Sequence, residues 1–374
     1  MRTSALAAIL AFCAPDGDLT ALLEKVKAVR AGGEGNADAG TAWRQVVAQG
    51  PEALLPILAA FEGANPRAEN WLRAAVDAVA EQALANKKPL DAKALETFVL
   101  DLRRTGNGRR VAYEWLVRLD PAAPDRLLPG MLGDPDRELR RDAVARSSAE
   151  AEAMLKSDRA AATEAFRKLL PFARERDQVN ALVKQLKALG VETDVQAHYG
   201  VVARWILIAS FDNAGMKGFD AANPPEAGVD LKAKPAGKGG VPVRFVEHAT
   251  ADPLGLVDLN AALGKEMGAT AYAYAVVESP DERAVELRVG TNNAAKLFLN
   301  GALGFFRNEY HHGMKMDQYV ARGRLKKGRN EILLKICQNE QKEDWAQGWS
   351  FQARLCDALG GAVPFRTATP KPGE

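Results

Sequence analysis

Cysteine is scarce: 374 residues contain three, Cys13, Cys337 and Cys356. None are spaced as Cys-x-x-Cys, which excludes a thiolate zinc site or a dithiol redox centre of that pattern. Histidine is nearly as rare, and only His311-His312 invites a metal reading. Neighbouring residues in a strand point to opposite faces, so a shared ion is not expected there. Excess charge is also missing, since 50 basic and 48 acidic residues leave a formal charge of +2. Without a basic surplus to release counterions from a polyanion, nucleic acid is not an expected partner. No apolar run approaches the ~20 residues of a membrane span. Gly-x-Ser-x-Gly, His-Glu-x-x-His and a phosphate-binding loop are absent, and the acidic residues show no catalytic spacing. The chain reads as a protein without catalytic activity.

At the start, Arg2, the apolar run Ala5 to Phe12 and the small residues before Pro15 have the order of a short export signal, residues 1–14. Cleavage is expected rather than lipidation at Cys13, because bulky Phe12 occupies a position that lipidation usually reserves for a small residue. The mature protein is then periplasmic or extracellular. In that compartment Cys337 and Cys356 either form one disulfide or remain two buried thiols.

Residues 15–190 are helical in pattern, with apolar residues three and four apart, as in Leu54, Leu55, Leu58 and Phe61 and in Trp71, Leu72, Ala75, Val76 and Val79. The phrase Leu-Leu-Pro returns at 54–56, 127–129 and 169–171, spacings of 73 and 42 residues. The shorter spacing is that of a helix-pair repeat. In the clearest unit, Pro121 to Arg146, two helices flank Gly133-Asp134-Pro135-Asp136. Pro135 is expected in the first helical turn, with Asp134 as its cap. This unit resembles a HEAT repeat, which implies a stacked helical layer offering a surface to a protein partner.

Composition changes near Gly190. Residues 191–200 read as a linker, 201–366 as a β region and 367–374 as a disordered tail. Two-residue alternation over Thr270 to Val277, Arg283 to Val289, Glu331 to Cys337 and Trp349 to Leu355 predicts antiparallel sheets, each with one buried face. Trp205 to Asn213 reads as a first strand running into a loop that continues through Gly218-Phe219 and Pro224-Pro225-Glu226, and the Lys-, Pro- and Gly-rich stretch Lys232 to Gly240 is expected to project. Gly290 to Gly301 reads as turn, strand, turn: Asn292 and Asn293 are expected in left-handed turn conformations, and Asn300-Gly301 in a type I′ hairpin.

Trp205, Phe211-Asp212-Asn213, Gly218-Phe219, Pro224-Pro225-Glu226, Gly290 to Gly301, Lys327 to Asn330, Lys335 and Trp349 to Asp357 together resemble the galactose-binding-domain-like jelly roll. That fold includes the sugar-binding domain of family 2 glycoside hydrolases and many carbohydrate-binding modules. The resemblance covers Val201 to Pro364, so the expected fold is an all-α HEAT-like layer followed by an all-β antiparallel jelly-roll sandwich. It implies a glycan ligand. A structural calcium often accompanies the family, but no ligands for it are identifiable here, and no other cofactor is expected. Amides at 292 and 293 replace the acids of the related pattern, which weakens the case for a hard cation at that turn.

Sugar recognition needs an aromatic platform with a few placed polar groups. Trp345, in a polar loop, is the candidate platform. Tyr310, Arg307, His311, His312 and Gln347 are the candidate partners, with Glu309 nearby. Trp349 alternates with core residues and is assigned to packing. The alternative to a glycan-binding protein is a cell-envelope interaction scaffold.

Overall fold

A computed structural model of the chain describes residues 18–368. The export signal and Cys13 lie outside the described residues. Two compact units are present, Met1–Ser157 and Asp158–Glu374, the first helical and the second dominated by antiparallel sheets.

The helices of the first unit begin where small polar side chains satisfy unpaired backbone N–H groups. Asn65 accepts from Arg67 N and Ala68 N at the start of Pro66–Ala85, with Pro66 in the first helical position. Asp91 and Thr105 likewise cap Ala92–Leu100 and Gly106–Leu119. Each amphipathic face closes on one core containing Leu58, Leu72, Val76, Leu95, Trp115, Leu116 and Leu139. The cap of Arg137–Met154 is Asp136, which accepts from Leu139 N at 2.8 Å. Asp134, expected to cap, is buried instead, and Pro135 lies outside the helix. Its two oxygens take Arg109 Nη1 at 3.0 Å and Nη2 at 2.6 Å, while Arg109 Nε donates to Val99 O at 2.7 Å. A buried guanidinium needs a carboxylate and satisfied donors, and that need overrides the cap that local sequence suggests.

The second unit opens with helices Arg159–Leu169, Arg176–Ala188 and Val195–Tyr199, the last lying within the stretch expected to be a linker. Eleven strands follow: β1 (Arg204–Asp212), β2 (Val246–Ala249), β3 (Val257–Asp258), β4 (Ala269–Ser279), β5 (Arg283–Thr291), β6 (Ala294–Leu299), β7 (Ala302–Arg307), β8 (Tyr319–Leu325), β9 (Gly328–Gln338), β10 (Ser350–Cys356) and β11 (Arg366–Ala368). One sheet runs β2-β1-β4-β9-β6-β7, with β11 also on β4; the other runs β3-β10-β5-β8. Thr367 and Ala368, expected in a disordered tail, pair with Val277 and Val276 in β11.

The sheets pack face to face through the residues that alternation selected. Val285, Leu287, Val289, Phe351 and Leu355 meet Ile332, Leu334 and Ile336, and Trp205 sits edge-on to Phe351 at 5.1 Å. Ala269, Ala271, Ala273 and Ala275 keep β4 thin beside these aromatic rings. Trp349 is buried and donates Nε1–H to Ile336 O, in keeping with its packing assignment.

The opposite face of the larger sheet differs from expectation, because it is buried as well. Val229, Leu231, Val243 and Phe245 of the β1–β2 excursion lie over Ile208, Phe211, Tyr272, Tyr274, Val276 and Leu333. The segment expected to project is tied down: Ala236 bridges Pro242, and Lys238 Nζ donates to Met267 O at 2.5 Å. Beneath it, buried Lys335 donates to Ala221 O at 2.7 Å and pairs with Glu226 at 2.8 Å, and Glu226 also accepts from Tyr272. Alternation reports which residues share a face, and only the returning chain decides whether that face is covered.

Cys337 and Cys356 are free, buried thiols. Cys337 lies with Phe219 and Ala294, whereas Cys356 ends β10 in the other sheet.

Candidate functional site

The candidate loops hang from a buried amide brace. Asn293 Nδ2 donates to Gln338 Oε1 at 2.9 Å and to Gly348 O at 3.1 Å. Gln338 Nε2 donates to Ala346 O at 3.0 Å, and Thr291 Oγ1 donates to Ser350 O at 2.8 Å. Asn293 and Gln338 are fully buried, so these bonds remove the cost of unpaired amides and pin the 339–349 loop to the strands. Neither Asn292 nor Asn293 has the expected left-handed backbone; Asn300 does, at φ 52°, followed by Gly301 at φ 79°. The second turn is therefore the expected hairpin, and the first is a side-chain brace.

That brace exposes Trp345. The short 3-10 turn Asp344–Ala346 buries Ala346 completely, and Trp345 beside it is 67% exposed. His311 meets the Trp345 ring edge-on, with centroids 5.5 Å apart. The histidine is itself fixed, because its N–H donates to Asn292 O at 2.8 Å and its Nε2 bonds Asn339 Oδ1 at 2.8 Å. As Asn339 Oδ1 is an acceptor, the proton sits on Nε2 of His311. The His311 backbone is left-handed, φ 58°, which turns the chain between the two histidines.

Other candidates have different tasks. Tyr310 points inward onto Phe219, Ala294 and Cys337, and its hydroxyl accepts from Asn213 Nδ2 at 3.2 Å. Burial pushes that phenol up to about 12. It supports the loop rather than offering a platform. Gln347 closes its own loop by donating to Lys342 O at 2.6 Å. His312 turns away from His311, accepting from Gln318 Nε2 at Nδ1 and meeting the Tyr319 hydroxyl at Nε2. Arg307 lies over the Tyr319 ring at 5.6 Å, and Tyr319 O–H reaches Glu309 at 3.4 Å. The candidates thus form two groups, Trp345 with His311, Tyr310 and Gln347, and Tyr319 with His312, Arg307 and Glu309.

Sequence reasoning missed Asn339, Gln318 and Tyr319. Asn339 had a visible signal, since Gln338-Asn339-Glu340-Gln341 is a polar run directly after an apolar strand. The other two had none, because only the fold carries residue 312 back to residues 318 and 319.

Among the described residues, no group of three or more His, Cys, Asp and Glu side chains is placed to hold a metal ion. The Trp345 shelf is an exposed aromatic plane bordered by amides, chemically suited to the apolar face and hydroxyls of a ring-shaped polar ligand.

No protein-family model and no curated protein matches the chain. Among solved structures, a family 35 carbohydrate-binding module from an environmental isolate is similar at 13% identity and a TM-score of 0.20, over 29% of this chain and 75% of that one. A β-glucosidase from Kluyveromyces marxianus in complex with glucose is similar at 13% identity and a TM-score of 0.25, over 41% of this chain and 16% of the enzyme. A selenomethionine-labelled form of a β-glucosidase from the same organism aligns over 71% of this chain and 35% of its own, at 10% identity and a TM-score of 0.26. Likenesses at these scores carry no argument about ligand or activity.

Proposed function

We propose that the chain is an exported, non-catalytic binding protein in which the two-sheet unit, a jelly roll in this reading, takes a glycan on the Trp345 shelf. HEAT-like repeats in the helical unit would serve a protein partner. The observation that carries the glycan reading is Trp345 itself. Trp345 is two-thirds exposed on a loop pinned by a buried brace, with the His311 ring against it and most of its apolar surface open to a ligand. Titration of the full chain with a panel of polysaccharides, followed by tryptophan fluorescence, tests it. Trp345→Ala is expected to weaken glycan binding by at least about tenfold, or ~1.4 kcal/mol, with an unchanged melting temperature. Absence of binding to every glycan in the wild-type chain would overturn this reading.

A second reading, an interaction scaffold of the cell envelope, is favoured by a groove of about 570 Å³ on the helical unit. There Trp115 donates to Asp77 Oδ1 at 2.8 Å, Arg118 lies 4.5 Å over the Trp115 ring, and Arg73 pairs with Glu114. On that reading, a protein partner is released by combined Arg73→Glu and Arg118→Glu but retained by Trp345→Ala.

A further inference from the structure

Strands β1 and β11 share one edge of β4, and the register changes hands abruptly. The last β1 pair is Ile206 with Tyr274, and the last β11 pair is Ala368 with Val276. Among the described residues, which end at Ala368, Ala275 has no strand partner on that edge, although its other edge pairs with Ile332. At this handover lies a cavity of about 270 Å³, lined by Arg204, Ile206, Glu247, His248, Tyr274 and Val276, among others. Its floor is apolar, because Ile206, Tyr274, Val276 and Ala368 belong to one packed cluster.

The rim carries opposite charges. Arg204 lies two residues before Ile206, and Glu247 pairs with Ile206 across the β1–β2 ladder, so both share the face of the floor. Arg204 pairs with Ala249, which makes Arg204 and Glu247 diagonal neighbours about 7–8 Å apart in backbone position. Long side chains of opposite sign bridge that gap readily, yet among the described residues neither makes a hydrogen bond or ion pair with its side chain. Several other arginines of the sheets are paired, as Arg283 is with Asp281, Arg324 with Glu282 and Arg354 with Asp317.

We propose that this cleft is a second binding site, for a free amino acid with an aliphatic side chain. Arg204 offers a planar fork of donors to the carboxylate, Glu247 accepts from the ammonium, and the side chain lies on Ile206, Tyr274 and Val276. The volume suits a molecule of that size and is at the small end for ligand sites. Separated charges on the ligand fit between two separated charges on the rim, whereas a neutral sugar leaves both unanswered. The site is distinct from the Trp345 shelf, and its success or failure leaves the glycan reading untouched.

Isothermal titration of the full chain with L-leucine, 4-methylpentanoate, isoamylamine and N-acetyl-leucine amide tests the assignment. Saturable leucine binding is expected, at least tenfold weaker in Arg204→Met and in Glu247→Gln, with the mono-charged and neutral analogues also at least tenfold weaker. Both substitutions are at exposed positions, and an unchanged circular dichroism melt shows that the fold is intact. No saturable heat with leucine up to millimolar concentration, equal binding of the neutral amide, or leucine binding unchanged in both variants would each overturn the proposal.

Discussion

Asp134 and Asp136 stand two residues apart and divide two tasks. Asp136 satisfies a helix start, while Asp134 neutralises Arg109 inside the helical core, where both side chains are almost wholly buried. Removing one member of such a pair leaves a desolvated charge, whereas removing the cap loses one part-buried bond to a backbone N–H. Asp134→Ala is therefore expected to cost about 3–5 kcal/mol, and Asp136→Ala about 1 kcal/mol. Urea denaturation of the two variants measures both, and equal losses would contradict the division of labour. From sequence the two aspartates look interchangeable around Pro135, because what separates them is the position of Arg109, 25 residues earlier.

The thiols make the same point from the opposite direction. Burial pushes Cys337 up to about 11 and Cys356 up to about 12, so both are protonated and unreactive near neutrality. In a Cys13→Ser background at pH 8, a thiol reagent is expected to label neither residue in the folded protein and both in denaturant. Labelling of the native chain within seconds would show that these sites are not closed.

At the scale of elements, the β5–β6 and β6–β7 turns look alike in sequence, each built on asparagine. Asn300-Gly301 behaves as a local turn because positive φ at both positions suits the twist of a tight hairpin. Asn293 instead reaches across to β9 and β10. Asn293→Leu removes one of the two donors to Gln338 Oε1, which keeps Asn339 N, one of the two donors to Gly348 O, and the side-chain acceptor of Ser350 N, so a loss of about 1–3 kcal/mol is expected. The same substitution frees the 339–349 loop, and faster amide exchange over those residues is the accompanying measurement. A stable variant with an unchanged loop would remove the brace from the account of the shelf.

The excursion between β1 and β2 belongs to this scale too. Its Lys, Pro and Gly content suggested a projecting loop, yet Lys335 and Glu226, both visible in the sequence, pair across it. Composition measured its local freedom and missed its anchor. An apolar face bearing Tyr272, Tyr274 and Leu333 has more to lose in water than the loop has to lose in conformational entropy on covering it.

Across the whole molecule, the helical first half, the antiparallel second half, the inward faces of β4, β5, β9 and β10 and the hairpin at Asn300-Gly301 are legible in the order of residues alone. These depend on periodicity and on backbone preferences that act within a few residues. Packing between distant segments sets the cover on both faces of the larger sheet, the core ion pair of Asp134 and the separation of the two cysteines. It alone separates His311 from His312 into different clusters and leaves Arg204 and Glu247 facing a gap between strands. Each of these outcomes is a meeting of residues far apart in the chain, set by which apolar surfaces and buried charges require cover, and no local pattern encodes that choice.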